Sequence, residues 1–306
     1  MWIPVKRSRV NHYVDVPLYY QGERGMVVYK PAGKRIPEAR TQTYTIPQLY
    51  IRESDRYAAI LESQRELRRS FEEYVDSGDG ALARAVLVEM VEEVLSDPKG
   101  GTILTLPAVT ETVVTRLAMQ PSVLKEIIRL GRKDYGTTVH SINVMALTLN
   151  YCFHRGVDLD DSKRFALNAL LHDIGKTEIS DRILTASRRL TDSEFQEMQR
   201  HPSIGAAILQ QEGDDCIEAV LGALHHHERL DGTGYPAGLK DEKISEYGQI
   251  IGIVDCYEAL TDDSRTYRSA MKPIEALELI KSDTDEGKYN RTHFESFAKS
   301  LPGLYE

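Results

Sequence analysis

The sequence predicts a mainly α-helical protein with a small α/β domain at its N-terminus. Short runs rich in β-branched and aromatic residues occupy the first ~50 residues, and helical apolar spacing dominates the rest. A third observation is the string PKGG at 98–101, because consecutive proline and glycine residues end regular structure. We place the domain boundary near this break, which divides the chain into 1–100 and 101–306.

The N-terminal domain is predicted from turn signals and residue type. A helix is expected to begin at Ser54, whose hydroxyl suits a cap, and to end near Gly78. A second helix fills 81–97. Strands are expected in the strings YVDVPLYY, GMVVYK and QLYIR, at 13–20, 25–30 and 48–52. The role of this domain stays open among sensing, dimerisation and scaffolding.

The C-terminal domain is predicted to be all-α. Thr191 and Glu194 form a capping-box pattern that predicts the start of one helix. Apolar residues recur at three-to-four spacing in eight segments, namely 107–119, 122–131, 137–154, 161–173, 192–210, 215–227, 245–260 and 273–282.

Charge and cysteine content argue against several functional classes. The formal net charge is −9 and the pI is about 5.6, which disfavours a duplex nucleic-acid binder, because such proteins neutralise phosphates with lysine and arginine. The three cysteines show no CxxC spacing, so neither a disulfide scaffold nor a zinc ribbon is indicated. Since we find neither a secretory signal nor an apolar run long enough to cross a bilayer, we expect a cytoplasmic protein without membrane insertion.

Residues that suit metal ligation are concentrated in the C-terminal domain. His172 and Asp173 end the apolar run ALNALL, where polar groups are costly to bury without partners, and Asp255 lies within IIGIVDCYEAL. Seven of the nine histidines lie between residues 140 and 227, and six of these form the candidate cluster: His140, His172, His201, His225, His226 and His227. Each residue alone is more often an ordinary hydrogen-bonded group, but together they predict a metal site.

Lys176 is a further candidate. It follows His172 by four residues and Asp173 by three, so its ammonium group is expected near the same face of the helix. Gly175 indicates that the helix ends there, which leaves the lysine head group free to reach a cleft. Histidine and carboxylate ligands suit iron, manganese or zinc, and the lack of nearby thiolates argues against a zinc–cysteine site.

These motifs resemble the HD-GYP family, a branch of the HD superfamily of all-α metal-dependent phosphohydrolases that hydrolyses the bacterial second messenger cyclic di-GMP. The resemblance covers residues 137–270, and its order and intervals are specific. The matching strings are HS at 140–141, then LLHDIGKTEISDRIL, LTDSEFQEMQRHPSIGAAIL, HHERLDGTGYPAGLK and IIGIVDCYEALTDD. The resemblance implies that the C-terminal domain is an HD-superfamily helical bundle.

The resemblance also implies a dinuclear site, with iron favoured and manganese as the alternative. One ion would be held by His140, His172, Asp173 and Asp255, and the other by Asp173, His201, His226 and His227. Asp173 would bridge the ions, and Lys176 would contact the scissile phosphate. The resemblance therefore implies that Asp173 and Lys176 are the catalytic residues. Arg265, Arg268 and Tyr235 are further candidates for substrate binding, and the GYP loop for contact with diguanylate cyclase (GGDEF) domains.

Three positions depart from the family pattern. Gly136 stands where some members carry a glutamate for a third metal, and Asn143 stands where arginine is more usual. The string DSRTYR at 263–268 replaces the usual Asp-Arg-Pro-Tyr-Arg.

The function predicted from the sequence is hydrolysis of cyclic di-GMP to pGpG and, on further hydrolysis, GMP. Three alternatives stay open. The chain could be a weakly active or inactive domain that acts as a cyclic di-GMP receptor or partner-binding module, another HD phosphohydrolase that acts on nucleotides, or a helical scaffold without catalysis.

Overall fold

The computed structural model describes residues 1–37, 46–95, 102–131, 136–212, 219–263 and 270–304. Contacts divide the chain into two compact units, Met1–Ser70 and Phe71–Glu306. The dividing point lies within helix α1 (Arg56–Ser77), ahead of the predicted boundary near residue 100. The predicted fold class, mainly helical with a small sheet near the N-terminus, is confirmed. The assignment of separate roles to 1–100 and 101–306 stays a prediction.

The first unit contains a four-stranded antiparallel sheet. Its strands are β1 (Trp2–Pro4), β2 (Leu18–Gly22), β3 (Gly25–Lys30) and β4 (Leu49–Arg52), in the spatial order β1-β4-β2-β3. Leu18 and Leu49 are among the buried side chains of a cluster that forms the core of this unit. The sequence predicts three of these strands, whereas β1 is too short to show an alternating pattern.

The second unit is a bundle of helices. After the end of α1 they are α2 (Gly80–Leu95), α3 (Leu106–Met119), α4 (Pro121–Gly131), α5 (Thr137–Arg155), α6 (Leu159–Leu171), α7 (Asp181–Leu184), α8 (Asp192–Met198), α9 (His201–Gln211), α10 (Val220–His225), α11 (Glu246–Thr261), α12 (Pro273–Asp285) and α13 (Arg291–Ser300). α2 packs against α4 and α5, which explains why it belongs to this unit and not to the first.

Two central helices carry part of the candidate site. α5 and α11 are buried on most of their circumference, as expected of helices that are apolar all round. α5 packs against α6 and α11, so the residues that these three helices carry are brought close together. His140 lies on α5, Asp255 lies on α11, and α6 ends at the HD dipeptide.

The sequence predicts one helix over 192–210, but the structure contains two. α8 ends at Met198, and α9 begins at His201 with Pro202 in its first turn. Proline has no N–H and its ring clashes with the preceding turn of a helix, so it is accepted in a first turn and disfavoured in an interior. The capping box of Thr191 and Glu194 is present, as predicted.

Other segments complete the comparison with the sequence. Part of the predicted helix 215–227 lies outside the described residues, and α10 ends at His225. The sequence does not predict α7, which has four residues, or α13, which has ten. Within the described ranges, none of the helices combines the length and the apolarity that crossing a bilayer requires.

Candidate metal centre

The HD turn brings two helix ends together. α6 ends at Leu171, His172 caps it, and Asp173 leaves the helical conformation with φ −101° and ψ 9°. A Cβ atom at Gly175 would overlap the carbonyl oxygen of His201 and would lie 2.9 Å from its carbonyl carbon. Because a side chain at this position would meet backbone atoms, glycine allows the HD turn to touch the start of α9.

Three histidines present the same ring edge to the interior. In His172, His201 and His226, Nδ1 donates to the backbone carbonyl three residues earlier, at 2.7, 2.7 and 2.9 Å. A carbonyl oxygen can only accept a hydrogen bond, so Nδ1 carries the proton and Nε2 offers its lone pair. The Nε2 atoms of His201 and His226 lie 3.2 Å apart. Imidazoles fixed in this way are oriented to ligate a metal ion.

His140 is oriented by a carboxylate instead of a carbonyl. Its Nδ1 donates to Glu258 Oε2 at 2.6 Å, while its Nε2 lies 3.1 Å from Asp255 Oδ1 and 3.4 Å from Asp173 Oδ2. Glu258 follows Asp255 by three residues on α11, so the two carboxylates lie on one face of that helix. Glu258 is not among the site residues predicted from the sequence, although a glutamate inside an apolar helix, three residues after a candidate ligand, indicates such a role.

Asp173 lies between two groups of histidines. Its Oδ2 is 3.4 Å from Nε2 of both His140 and His172. Its Oδ1 is 3.3 Å from His201 Nε2 and 3.7 Å from His226 Nε2. One carboxylate oxygen therefore faces each group, an arrangement that suits a carboxylate shared by two cations.

The candidate ligands form three overlapping sets. In each set the ligand atoms lie within 4.8 Å of one another, and the sets are His140 with His172 and Asp255, His172 with Asp173 and His226, and His201 with His226 and His227. The structure thus brings together all seven residues that the sequence analysis selected as metal ligands. Whether each of them ligates stays a prediction.

Two atoms at the centre of these sets have no hydrogen-bond partner among the described residues. His172 Nε2 and Asp173 Oδ1 are both buried. A buried polar atom without a partner costs on the order of 1–3 kcal/mol, and cations bound on the two sides of Asp173 would satisfy both atoms. The donor atoms are imidazole nitrogens and carboxylate oxygens, which suit iron, manganese or zinc. The residues present therefore fit a metal site.

Burial and charge give most of these ligands the protonation states that a metal ion requires. Burial lowers the pKa of His201 to about 4 and lowers the pKa of His226 and of His227 well below the usual value. Burial would raise the pKa of Asp173, but the Lys176 ammonium and a neighbouring imidazole hold that pKa well below its usual range. At neutral pH the three imidazoles are therefore neutral and the carboxylate is ionised, as metal binding demands.

His140 differs from the other histidines. Burial alone would lower its pKa, but the carboxylates of Glu258 and Asp255 outweigh burial and raise the pKa to about 10. In the metal-free protein this imidazole therefore carries a proton on each nitrogen, between two carboxylates. A cation bound at Nε2 would take the place of one of these protons.

Comparison with known proteins identifies the family. The family model described as HD domain matches residues 117–292, which is more than half of the chain. This chain belongs to the HD-domain family. The clusters of histidine and aspartate in this HD-domain protein are consistent with a metal site typical of the family.

Several curated relatives of this HD-domain protein are named for the hydrolysis of cyclic dinucleotides. A cyclic di-GMP phosphodiesterase of Pseudomonas aeruginosa is 37% identical over 187 residues, covering 60% of this chain and 44% of the relative. A 3'3'-cGAMP-specific phosphodiesterase of Vibrio cholerae is 30% identical over 174 residues, or 57% and 40% of the two chains. A cyclic di-GMP phosphodiesterase of Thermotoga maritima is 44% identical over 117 residues, or 37% and 31%. The matched part is less than half the length of each of these relatives.

A solved structure gives the same fold. The HDG"Y"P protein Bd1817 from Bdellovibrio bacteriovorus superposes with a TM-score of 0.67, covering 99% of this chain and 100% of that one. The sequence identity is 16%, so this match shows the fold alone. With the curated relatives, it confirms the predicted relation to HD-GYP cyclic di-GMP phosphodiesterases.

The GYP loop of the HD domain folds against the metal ligands. The ring of Tyr235 stacks on His227 with centroids 4.6 Å apart and an interplanar angle of 24°. The Tyr235 N–H donates to the His227 carbonyl at 3.2 Å. Glu228, which is buried, accepts from the backbone N–H groups of Ala237 at 2.7 Å and Leu239 at 2.9 Å. The loop thus holds the tyrosine ring in contact with a candidate ligand.

A cleft opens above the candidate ligands. Its volume is about 650 Å³, and Lys176 lies in its lining with Nζ 2.5 Å from Asp173 Oδ2. The lining also includes Arg189 and Phe195, and Phe195 is 49% exposed. Cavities of roughly 300–1,000 Å³ are typical of small-molecule sites, so the cleft has room for a nucleotide-sized ligand. The predicted substrate contacts Arg265 and Arg268 lie outside the described residues.

Proposed function

We propose that this HD-domain protein is a metal-dependent phosphodiesterase that hydrolyses cyclic di-GMP to pGpG and then to GMP. The observation that carries the proposal is the position of Asp173, whose two carboxylate oxygens face two separate groups of histidines at 3.3–3.7 Å. Such a carboxylate can hold two cations at the spacing of about 3.5–4 Å that two-metal hydrolases use. Iron is the favoured metal and manganese the alternative.

The chemistry of a phosphodiester explains why this site suits it. The substrate is anionic and its leaving alkoxide is poor, so both attack and departure need stabilised charge. Two bound cations would supply Lewis-acid stabilisation of the phosphate and a more acidic attacking water. The side chains of the protein hold and orient what binds there, through imidazoles whose Nδ1 atoms are fixed by carbonyl oxygens and by Glu258.

Lys176 has a separate role in the proposal. Its ammonium group pairs with Asp173 in the metal-free protein and lines the cleft. With the carboxylate engaged by cations, the ammonium group would be released to contact a non-bridging phosphate oxygen, where a fixed positive charge stabilises the transition state. Phe195 offers an exposed aromatic face on the cleft wall against which a purine base could stack.

Two parts of the proposal rest on resemblance more than on geometry. The choice of cyclic di-GMP follows the names of relatives, one of which is named for 3'3'-cGAMP, so both cyclic dinucleotides belong in the assay. Contact of the GYP loop with diguanylate cyclase domains also stays a prediction.

The proposal is tested on purified protein loaded anaerobically with Fe²⁺ or Mn²⁺. We expect two ions per chain and the formation of pGpG from cyclic di-GMP. Liquid chromatography of the reaction mixture measures this product. His172→Ala and Asp173→Ala should each lose metal and turnover. His154→Ala is the matched control, because His154 is exposed at the end of α5, on the same helix as His140.

The outcomes separate the alternatives. Binding of cyclic di-GMP by the metal-loaded protein without product would favour a receptor. Hydrolysis of mononucleotides with cyclic dinucleotides untouched would indicate another HD phosphohydrolase. Wild-type metal occupancy in both His172→Ala and Asp173→Ala would refute the ligand assignment.

A further inference from the structure

A buried series of hydrogen bonds leads from His140 to a helix that precedes the matched HD domain. Glu258 accepts from His140 Nδ1 at 2.6 Å through Oε2 and from Asn143 Nδ2 at 2.8 Å through Oε1. Asn143 Oδ1 accepts from Arg84 Nη2 at 3.0 Å. Arg84, Asn143 and Glu258 are 3%, 7% and 6% exposed. Arg84 lies on α2, before the residues 117–292 that match the family.

The orientation of the Asn143 amide follows from its three hydrogen-bond partners, one of which is Arg84. A guanidinium group only donates hydrogen bonds, so the amide oxygen of Asn143 must face it. The amide nitrogen then faces two acceptors, the Gly131 carbonyl at 3.0 Å and Glu258 Oε1 at 2.8 Å. With the amide reversed, its oxygen would face these two acceptors and repel both. The arginine and the two acceptors therefore favour the same orientation, in which Asn143 donates to Glu258.

The position of Asn143 also depends on close packing. A Cβ atom at Gly131 would overlap the amide oxygen of Asn143 and would lie 2.8 Å from its Cγ. The guanidinium group makes a second contact, because Arg84 Nη1 donates to the Ile127 carbonyl at 3.4 Å near the end of the same helix α4. The asparagine is thus held between α4 and the arginine, with little room to rotate.

Glu258 receives from this arrangement both its orientation and a balancing charge. One oxygen is occupied by Asn143, so the other is directed to His140 Nδ1. A buried carboxylate is costly unless it is hydrogen-bonded and its charge is compensated, and the buried guanidinium group lies one residue further along the series. With Nδ1 donating to Glu258, Nε2 of His140 is aimed at Asp255 and Asp173.

We propose that Arg84 is a positioning residue for the metal centre: through Asn143 and Glu258 it orients His140 and so determines how tightly the ion on the His140 side is held. The inference rests on the metal site of the proposed function, although it does not depend on the substrate. Partners that orient a ligating histidine typically change metal affinity by about 10–100-fold when they are removed. Since Arg84 acts through two intermediates, we expect about a tenfold effect, at the lower end of that range.

The test measures the affinity of the protein for Mn²⁺ by competition with a chromophoric chelator, so it requires no turnover. Arg84→Met keeps an unbranched, largely apolar side chain and removes the guanidinium donors, and Glu258→Gln removes the charge and leaves one acceptor oxygen for the two donors His140 and Asn143. Both should weaken binding of the tighter ion, and the double variant should be no weaker than Glu258→Gln alone, because the series is already broken there. Val94→Ala is the control, because Val94 is buried on the same helix α2 and makes no part of the series.

The control separates positioning from general loss of stability. Val94→Ala should lower the melting temperature and leave Mn²⁺ affinity unchanged, whereas Arg84→Met should lower affinity. Should Arg84→Met give no folded protein, Arg84→Lys carries the test. It keeps the charge and an ammonium donor but loses the planar guanidinium group that contacts Asn143 and Ile127 together, so its Mn²⁺ affinity should lie between those of the wild type and Glu258→Gln.

Several results would overturn the inference. Wild-type Mn²⁺ affinity in Arg84→Met, or in Arg84→Lys where that variant carries the test, would show that the arginine does not act on the metal centre, with the proposed function intact. Independent losses that multiply in the double variant would show that Arg84 does not act through Glu258. Wild-type protein that binds no Mn²⁺ or Fe²⁺ would overturn both this inference and the proposed metal centre.

Discussion

Substitution of Gly175 by alanine should disrupt the metal centre without replacing any candidate ligand. The added Cβ would overlap the carbonyl oxygen of His201 and would lie 2.6 Å from the backbone nitrogen of Gly205. Non-bonded carbon atoms prefer separations of about 3.5–4.0 Å, so the HD turn and the start of α9 must move apart by roughly 1 Å. Metal–ligand distances tolerate about 0.2 Å. The His172 and His201 groups would therefore no longer fit a shared pair of ions.

The same displacement should also destabilise the protein. Overpacking of a close-packed junction costs typically about 1–3 kcal/mol. In domains of this size, each kcal/mol lowers the melting temperature by roughly 2–4 °C. The assay combines thermal unfolding with metal content of the purified variant, measured by inductively coupled plasma mass spectrometry after loading with Mn²⁺.

Gly205→Ala is the matched control, because Gly205 lies at the same junction with more room. A Cβ there would lie 3.1 Å from the Gly175 nitrogen and 3.2 Å from Ile174 Cγ2, so neighbours need to move only by tenths of an ångström. Alanine is also favoured over glycine within a helix by roughly 0.5–1 kcal/mol, which offsets that cost. We expect metal content close to wild type. Full metal occupancy in Gly175→Ala would refute the reasoning that this glycine contact joins the two halves of the site.

Three further changes test other parts of the site. Thr191→Ala removes the hydroxyl that accepts from the Glu194 N–H. It should lower the free energy of unfolding, measured by urea denaturation, by about 1 kcal/mol and leave the metal content unchanged. A loss of metal would contradict a purely local role for this cap. Tyr235→Phe should keep the ring stacked on His227 and retain both ions, whereas Tyr235→Ala should lose the ion on the His227 side. Equal metal stoichiometry in the two variants would show that stacking does not orient His227. Burial lowers the pKa of His201 to about 4 in the folded protein, below the unfolded value of about 6.5. Its contribution to stability is therefore complete above pH ~6.5 and is lost as the pH falls towards 4. Urea denaturation of the metal-free protein from pH 7 to pH 4 checks this, and a free energy of unfolding that stays constant or rises on acidification would contradict it.

The helices of this protein were largely predictable because their signals are local. Apolar spacing of three to four residues and a cap such as Thr191 depend on neighbours in the chain, and α8 begins at Asp192 as the capping box requires. The break between α8 and α9 is also local in origin, because Pro202 favours the first turn of a new helix even where apolar periodicity continues over 192–210. Elements without periodicity, such as β1, could not be found in this way.

The candidate ligands were predictable for another reason. Histidine and aspartate at helix ends and in apolar runs are costly unless a partner satisfies them, so their positions alone suggested a metal, and the motif resemblance grouped them into two sets. The buried atoms His172 Nε2 and Asp173 Oδ1, which have no hydrogen-bond partner among the described residues, are the structural counterpart of that reasoning.

By itself, then, the sequence determined the helical segments, the HD-family relation and the residue types available for the centre. Only the tertiary structure decided that each oxygen of Asp173 faces a different group of histidines, and that Glu258, Asn143 and Arg84 support His140 from behind. Asn143 and Glu258 are 115 residues apart in the chain, and Arg84 and Asn143 are 59 apart. Contacts at such separations depend on how helices pack against one another, because local spacing fixes the face of a helix on which a side chain lies but not the helix that it meets.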